Sequence, residues 1–260
     1  MLKILKYSFY DLMRSRWSYV YLAFYLMLGV VLLFLNNDLP KAVITLMNVI
    51  IVLVPLIGTI FGVMYYYSSK EFTELLLAQP IQRSSIFLGQ YLGVAISLSM
   101  SLILGLGIPF MIYGVFKSGA IWDFSLLLVT GTFLTFIFTA LAFNIALSNE
   151  NKIKGFGYAI LMWLFLAVIY DGLFLMSLIV FEDYPLDTLS LVASMLNPID
   201  LSRTLILLEL DISALLGYTG AVFKKFFGTN FGLIISFTML ILWVILPVFR
   251  IVGKSKKKDF

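Results

Sequence analysis

The sequence predicts an all-α integral membrane protein built on six transmembrane helices. Of its 260 residues, 62% are hydrophobic and 12% charged, whereas soluble domains run at roughly 45–50% apolar and about 25% charged. The apolar residues gather into six stretches, each about the 20 residues a helix needs to cross the hydrocarbon core. The charges fall between those stretches, with Asp171 the main exception.

Residues 2–16 read as an amphipathic helix. At about 100° per residue, Leu2, Leu5, Phe9, Leu12 and Met13 share one face, and Lys3, Lys6, Tyr10 and Arg14 the other. That pattern suits a helix lying in the membrane interface. It either anchors the first span or serves as an elbow that pivots with the bundle. The spans are expected at 17–35, 44–67, 86–113, 124–147, 156–181 and 231–252. The first is not a cleavable signal peptide: 16 residues precede it and no small-x-small cleavage site follows. Aromatic residues flank several spans, among them Trp17, Tyr65, Tyr66, Tyr67, Tyr113 and Trp122, as interfacial belts do. Gly58-x-x-x-Gly62 and Gly89-x-x-x-Gly93 permit close helix contact. Thr130, Thr132, Thr135 and Thr139 of span four are expected to bond back onto their own helix.

Six spans place both termini on one side. Thirteen of the 18 Lys and Arg residues then fall on that side, and the positive-inside rule makes it the cytoplasm. The predicted location is a cell membrane, crossed several times. The tail at 253–260, with Lys254, Lys256, Lys257 and Lys258, holds the last span at the inner face. Asp171 sits about two-thirds of the way along span five, where a charge costs roughly 2.5–3.5 kcal/mol at the bilayer centre. It is either a structural aspartate near the outer interface, hydrogen-bonded or hydrated, or a residue lining a pathway.

Two loops carry more than a connection needs. Residues 68–84 are too polar to span and too apolar to float. Ser69 can cap a short helix, Glu71 and Glu74 suit its positive end, Leu75, Leu76 and Leu77 follow, and Pro80 ends it. The leucines seek either a partner protein or the bundle itself. The outer loop, 182–230, carries Glu182, Asp183, Asp187, Asp200, Glu209 and Asp211 against Arg203, Lys224 and Lys225. In it Asn197 caps a helix, Pro198 opens the first turn and Asp200 lies near the positive end. Asp211 or Ser213 can cap a second helix through Leu215 and Leu216. Two such half-apolar helices are re-entrant or surface-lying, or a platform for an outer partner.

Much chemistry is excluded. Cysteine and histidine are both absent, which removes thiolate nucleophiles, disulfides, His/Cys metal sites and imidazole bases. No Walker phosphate loop and no His-Glu-x-x-His motif occurs. No catalytic residue, metal ligand, resident cofactor or nucleic-acid partner is expected.

The run Glu71-Phe-Thr-Glu-Leu-Leu-Leu-Ala-Gln-Pro-Ile-Gln-Arg83, leading into Phe87-Leu-Gly-Gln-Tyr91, resembles the first cytoplasmic loop of type-2 ABC transporter permeases. That family also has an N-terminal elbow, six spans, cytoplasmic termini and a re-entrant pair before the last span, so the resemblance covers nearly the whole chain. Arg14-Ser-Arg-Trp17, Leu196-Asn-Pro-Ile-Asp-Leu-Ser-Arg203 and Gly217-Tyr-Thr-Gly220 are similar to a narrower group, the permeases that support assembly of the copper centre of nitrous oxide reductase. In one position the chain departs from the family: Phe72 stands before Thr73, where Gly is usual.

The resemblance implies a single permease domain over 1–260. It implies that Glu71, Glu74, Leu75, Leu76, Gln79 and Arg83 engage a cytoplasmic ATPase, which alone holds ATP and magnesium. It implies a second copy of the chain, and a periplasmic β-helical copper-handling protein docking at Asn197, Pro198, Asp200 and Arg203. Copper enters only through the family. Export of a lipid, polysaccharide or drug by the same class of permease, and a scaffold with no conduit, are the alternatives.

Overall fold

The computed structural model describes residues 1–36, 39–181, 187–209, 226 and 230–257. Helix α1 (Leu2–Arg14) precedes α2 (Arg16–Leu35) and α3 (Leu39–Ser68). A short α4 (Lys70–Leu77) leads into α5 (Arg83–Ile112) and, after a 3-10 turn at Val115–Lys117, into α6 (Ile121–Ser148). The fifth span is two helices, α7 (Lys152–Leu164) and α8 (Tyr170–Val180), joined by a π-helical turn at Phe165–Ile169. Then come α9 (Asp187–Leu196), α10 (Pro198–Glu209) and the last span, α11 (Asn230–Lys257).

All six expected spans are present as long apolar helices. Each begins earlier in the chain than hydropathy alone marks, because the helical ladder continues past the apolar core. Lys41, assigned to a loop by hydropathy, sits exposed in the first turn of α3. Arg83, Lys152 and Lys154 similarly open α5 and α7. Long basic side chains can stay in the helix while their charges reach the interface.

Helices α3, α5 and α6 form the centre, with 50%, 61% and 61% of their apolar windows buried. The first, fifth and sixth spans reach only 28%, 17% and 22%, so they form a peripheral layer whose exposed side chains are apolar, as lipid contact allows. Close approach is built with glycine. A Cβ at Gly62 would lie 2.8 Å from that of Ala142 on α6, and one at Gly93 would lie 2.6 Å from that of Ser8 on α1. Both glycine pairs thus serve tight packing, one between spans and one beneath the N-terminal helix.

Helix α1 lies on α5 along a seam of Ile4, Ser8 and Leu12, with Leu5, Phe9 and Met13 half-buried beside it. The expected apolar face is therefore rotated slightly. The glycines of α5 draw Ser8 to the point of closest approach, and Leu2 is left 76% exposed. Ser15 then breaks the helix, and its hydroxyl accepts from the Trp17 N–H at 3.2 Å to cap α2. In span four, Thr130, Thr132 and Thr135 donate to carbonyls one turn back. Thr139 does not: its hydroxyl is buried without a hydrogen bond, on the α6 surface where Gly58 and Gly62 approach.

Both chain ends meet at one end of the bundle. The Tyr67 hydroxyl donates to the Asn149 carbonyl at 2.7 Å, tying the end of α3 to the α6–α7 turn. The Lys254 ammonium donates to the Asn144 carbonyl at 3.0 Å and to the Ser148 hydroxyl, placing a cation at the negative end of α6. The first of the two expected outer helices is present as α10, and a helix the sequence did not mark, α9, precedes it. Helix α9 descends, the chain bends by 116° around Asn197, and α10 returns. The run Asp187–Leu196 forms a limb with Leu189, Leu191, Val192, Ala193, Met195 and Leu196 as its apolar residues, and Ser190 and Ser194 are buried. The second helix expected at Asp211, Ser213, Leu215 and Leu216 lies outside the described residues. So do Glu182, Asp183, Lys224, Lys225, Lys258 and the run from Gly217 to Gly220.

Candidate functional site

Two places gather the residues singled out by the sequence, one at the end of the bundle that carries the termini and one at mid-span depth inside it. The first is α4, at the end that carries the termini. Helix α3 runs almost directly into it: the Ser69 N–H still donates to the Tyr65 carbonyl at 2.9 Å, and the Thr73 N–H to Ser69 at 2.9 Å. Ser69 therefore does not cap α4 as expected. Its hydroxyl turns back to the Tyr66 carbonyl at 3.4 Å, because the preceding helical turn offers an acceptor there. An eight-residue helix is too short to hold itself in water, so its shape comes from ties to the bundle. Gln90 of α5 donates from Nε2 to the Thr73 hydroxyl at 2.8 Å, and Thr73 donates to the Ser69 carbonyl at 2.8 Å. Phe72 stacks on Tyr7 of α1 with ring centres 4.4 Å apart. The departure from the usual glycine thus joins α4 to α1.

The outward side of α4 carries Glu71, Glu74 and Leu75, with Gln79 and Arg83 exposed beyond its end. Leu75 is 68% exposed. Leu76 and Leu77 are half-buried, so the leucine run divides between the protein's own surface and the outward face. Lys70 pairs with Glu74 at 3.8 Å, one helical turn apart and half in solvent, a geometry that adds little stability. The Ala78 N–H closes the helix on the Glu74 carbonyl at 3.2 Å, and Pro80 follows.

The second place is the tip of the α9–α10 hairpin. Asn197, wholly buried, accepts from the Ile199 N–H at 3.1 Å and so caps α10 as the sequence predicts. Its amide donates to the Asp200 carboxylate at 2.9 Å and to the Leu166 carbonyl at 2.8 Å. Leu166 lies in the π turn of span five. Such a turn displaces one carbonyl from the regular ladder, and Asn197 supplies a donor to it. Pro198 is buried in the first turn of α10. Arg203, one turn on, bonds the Asp171 carboxylate of α8 at 2.7 Å and that of Asp200 at 3.4 Å. The sequence treated Asp171 and the segment 197–203 separately; the fold brings them into one cluster. Asp171 is thus hydrogen-bonded and paired with an arginine, as a charge near the membrane core must be.

The bend also leaves the last carbonyls of α9 without helical partners. Tyr170 donates to the Ala193 carbonyl at 2.7 Å, and Trp243 of α11 donates to that of Met195 at 3.2 Å. Residues that the sequence reading missed therefore do much of the holding: Gln90, Tyr7, Tyr170, Trp243 and the Leu166 carbonyl. The available signal was a hydrogen-bond donor inside an apolar stretch, which has to find an acceptor. Among the described residues, no three Asp or Glu side chains gather as metal ligands.

No family model matches the chain. It is 24% identical over 209 residues to a protein of Stutzerimonas stutzeri named "Probable ABC transporter permease protein NosY", an alignment covering 74% of this chain and 76% of that protein. It is 25% identical over 185 residues to a protein of the same name from Pseudomonas aeruginosa, covering 68% of this chain and 67% of that one. These similarities, together with six apolar helices, support a NosY-like membrane permease subunit of an ABC transporter.

Proposed function

We propose that the chain is the membrane half of an ATP-driven maturation system that supports assembly of the copper site of nitrous oxide reductase. In this reading it sits in the bacterial inner membrane with both termini in the cytoplasm, and two copies form the working bundle. A separate cytoplasmic ATPase binds ATP and magnesium and grips α4. A periplasmic β-helical partner handles copper and docks over the exposed outer side of the hairpin, which Asn197, Pro198, Asp200 and Arg203 hold in place from within. Copper is cargo for that partner, since this chain has neither His nor Cys to hold it.

The observation that carries the reading is α4, a short helix at the basic end of the bundle. Glu71, Glu74 and Leu75 face outward on it, while Thr73 fastens its inner side to α5. A helix exposed on one side and hydrogen-bonded into the core on the other transfers a push instead of absorbing it. The test is Glu74→Arg combined with Leu75→Asp, two outward positions whose change leaves the inner contacts alone. The chain should still insert, and the ATPase subunit should disappear from its affinity purification. Undiminished co-purification removes the coupling role. Nitrous oxide reductase from cells lacking the chain should be copper-poor. A fully loaded reductase would leave the permease assignment standing and point instead to export of another cargo.

A further inference from the structure

The outward face of α1 has no role in the reading above. Its seam residues Ile4, Ser8 and Leu12 are buried on α5. The side turned away presents Lys3, Lys6, Tyr7, Tyr10 and Arg14, all exposed, around an open recess of about 510 Å³. These positions recur every three or four residues, so one helix face carries three cations and two phenols. Asp11 is the helix's one acidic residue. The Lys6 ammonium lies 6.0 Å from the centre of the Tyr10 ring. Beyond the break at Ser15, Trp17 and Tyr19 are 60% and 64% exposed, aromatic anchors of the kind found where lipid headgroups begin. These aromatics would set the recess beside the headgroup layer when the chain lies in a membrane, with its cations next to the apolar seam of the same helix.

We propose that this recess is a binding site for the phosphate headgroup of an anionic phospholipid, with Lys3, Lys6 and Arg14 carrying the charge recognition. A basic face on an interfacial helix attracts anionic lipid, and the tyrosine hydroxyls of Tyr7 and Tyr10 add donors for phosphate or glycerol oxygens. Tyr7 is also the residue stacked on Phe72 of α4, so an occupied site bears directly on that helix. The proposal does not depend on the transporter reading, because binding is measured on the isolated chain.

The test titrates the purified full-length chain in detergent with phosphatidylglycerol, phosphatidylcholine and inorganic phosphate, followed by native mass spectrometry. Phosphatidylglycerol should bind in preference to phosphatidylcholine, and phosphate alone should not bind at the same concentrations. In the variant Lys3→Gln, Lys6→Gln, Arg14→Gln, phosphatidylglycerol binding should weaken about a hundredfold, from the usual attraction of each cation at a membrane surface. The charge-conserving variant Lys3→Arg, Lys6→Arg should retain it. A photoactivatable phosphatidylglycerol on the wild-type chain should label the peptide 1–16, which locates the site even if the triple variant inserts poorly. Equal binding of the two lipids, labelling elsewhere, or phosphate binding as well as the lipid would overturn the proposal.

Discussion

Replacing Asn197 tests whether the hairpin tip is fastened to span five. Its amide makes three contacts from a position with no exposed surface: to the Ile199 N–H, the Asp200 carboxylate and the Leu166 carbonyl. Loss of the cap alone costs ~0.5–2 kcal/mol. Stranding the Leu166 carbonyl and one oxygen of Asp200 adds roughly 1–3 kcal/mol by the usual cost of an unmet buried acceptor, tempered by the average of about 0.6 kcal/mol for hydrogen bonds between membrane helices. Asn197→Ala should therefore destabilise the chain by about 2–4 kcal/mol. Asn197→Ser restores a capping oxygen without a donor that reaches span five, and should recover about 1 kcal/mol of that loss. Unfolding in mixed micelles by SDS titration, followed by near-ultraviolet circular dichroism, measures both. If alanine and serine each lie within about 0.5 kcal/mol of the native chain, below the smallest cap effect, the tip is not held where these contacts place it.

Arg203→Gln should cost more than Asp171→Asn. The first leaves the carboxylates of Asp171 and Asp200 facing each other without their cation; the Arg203 and Asp171 side chains are 30% and 28% exposed, so the cost should fall below the roughly 3–5 kcal/mol of breaking a fully buried pair from one side, and the second leaves Arg203 with Asp200. The double variant should be less damaged than the sum of the two, with a coupling of about 1–3 kcal/mol in the same titration. At the end that carries the termini, Thr73→Val and Gln90→Leu should each loosen α4, while the double variant removes donor and acceptor together. Proteolysis between α3 and α5 in the purified chain should rise in both single variants and fall back partly in the double; additive effects would mean that the Gln90–Thr73 bond at 2.8 Å does not hold the helix.

The spans were legible because hydrophobic length is a one-dimensional property, and so was the cap at Asn197, which depends on four consecutive residues. The hairpin's first limb was not: Asp187–Leu196 is a ten-residue run of mixed apolar and polar residues, too short to span and without a turn signal of its own. It becomes a limb only because Tyr170 and Trp243, from two other spans, supply donors to its end. The pairing of Asp171 with Arg203 joins residues 32 positions apart, a separation that local patterning does not encode. Ser69 shows the converse. It has the residue type and position of a cap, yet α3 continues into α4 and gives its hydroxyl a nearer acceptor.

The two places are joined by layers of unequal firmness. Helix α4 is fixed to α5, and α5 belongs to the centre with α3 and α6, where glycine contacts and wholly buried side chains leave little room to slide. The hairpin's side-chain hydrogen bonds run instead to the periphery: Asn197, Arg203 and Ala193 meet span five, and Met195 meets α11. The outer half of span five, α8, has no buried residue at all, and the π turn beneath it interrupts the regular ladder that would stiffen it. In the proposed transporter a push entering at α4 would reach the hairpin through the centre, because α10 packs on α3 and α6, and compliance would be concentrated in α8. The polar cluster ensures that when α8 shifts the hairpin shifts with it, since parting them would strand two carboxylates and a guanidinium in an apolar setting.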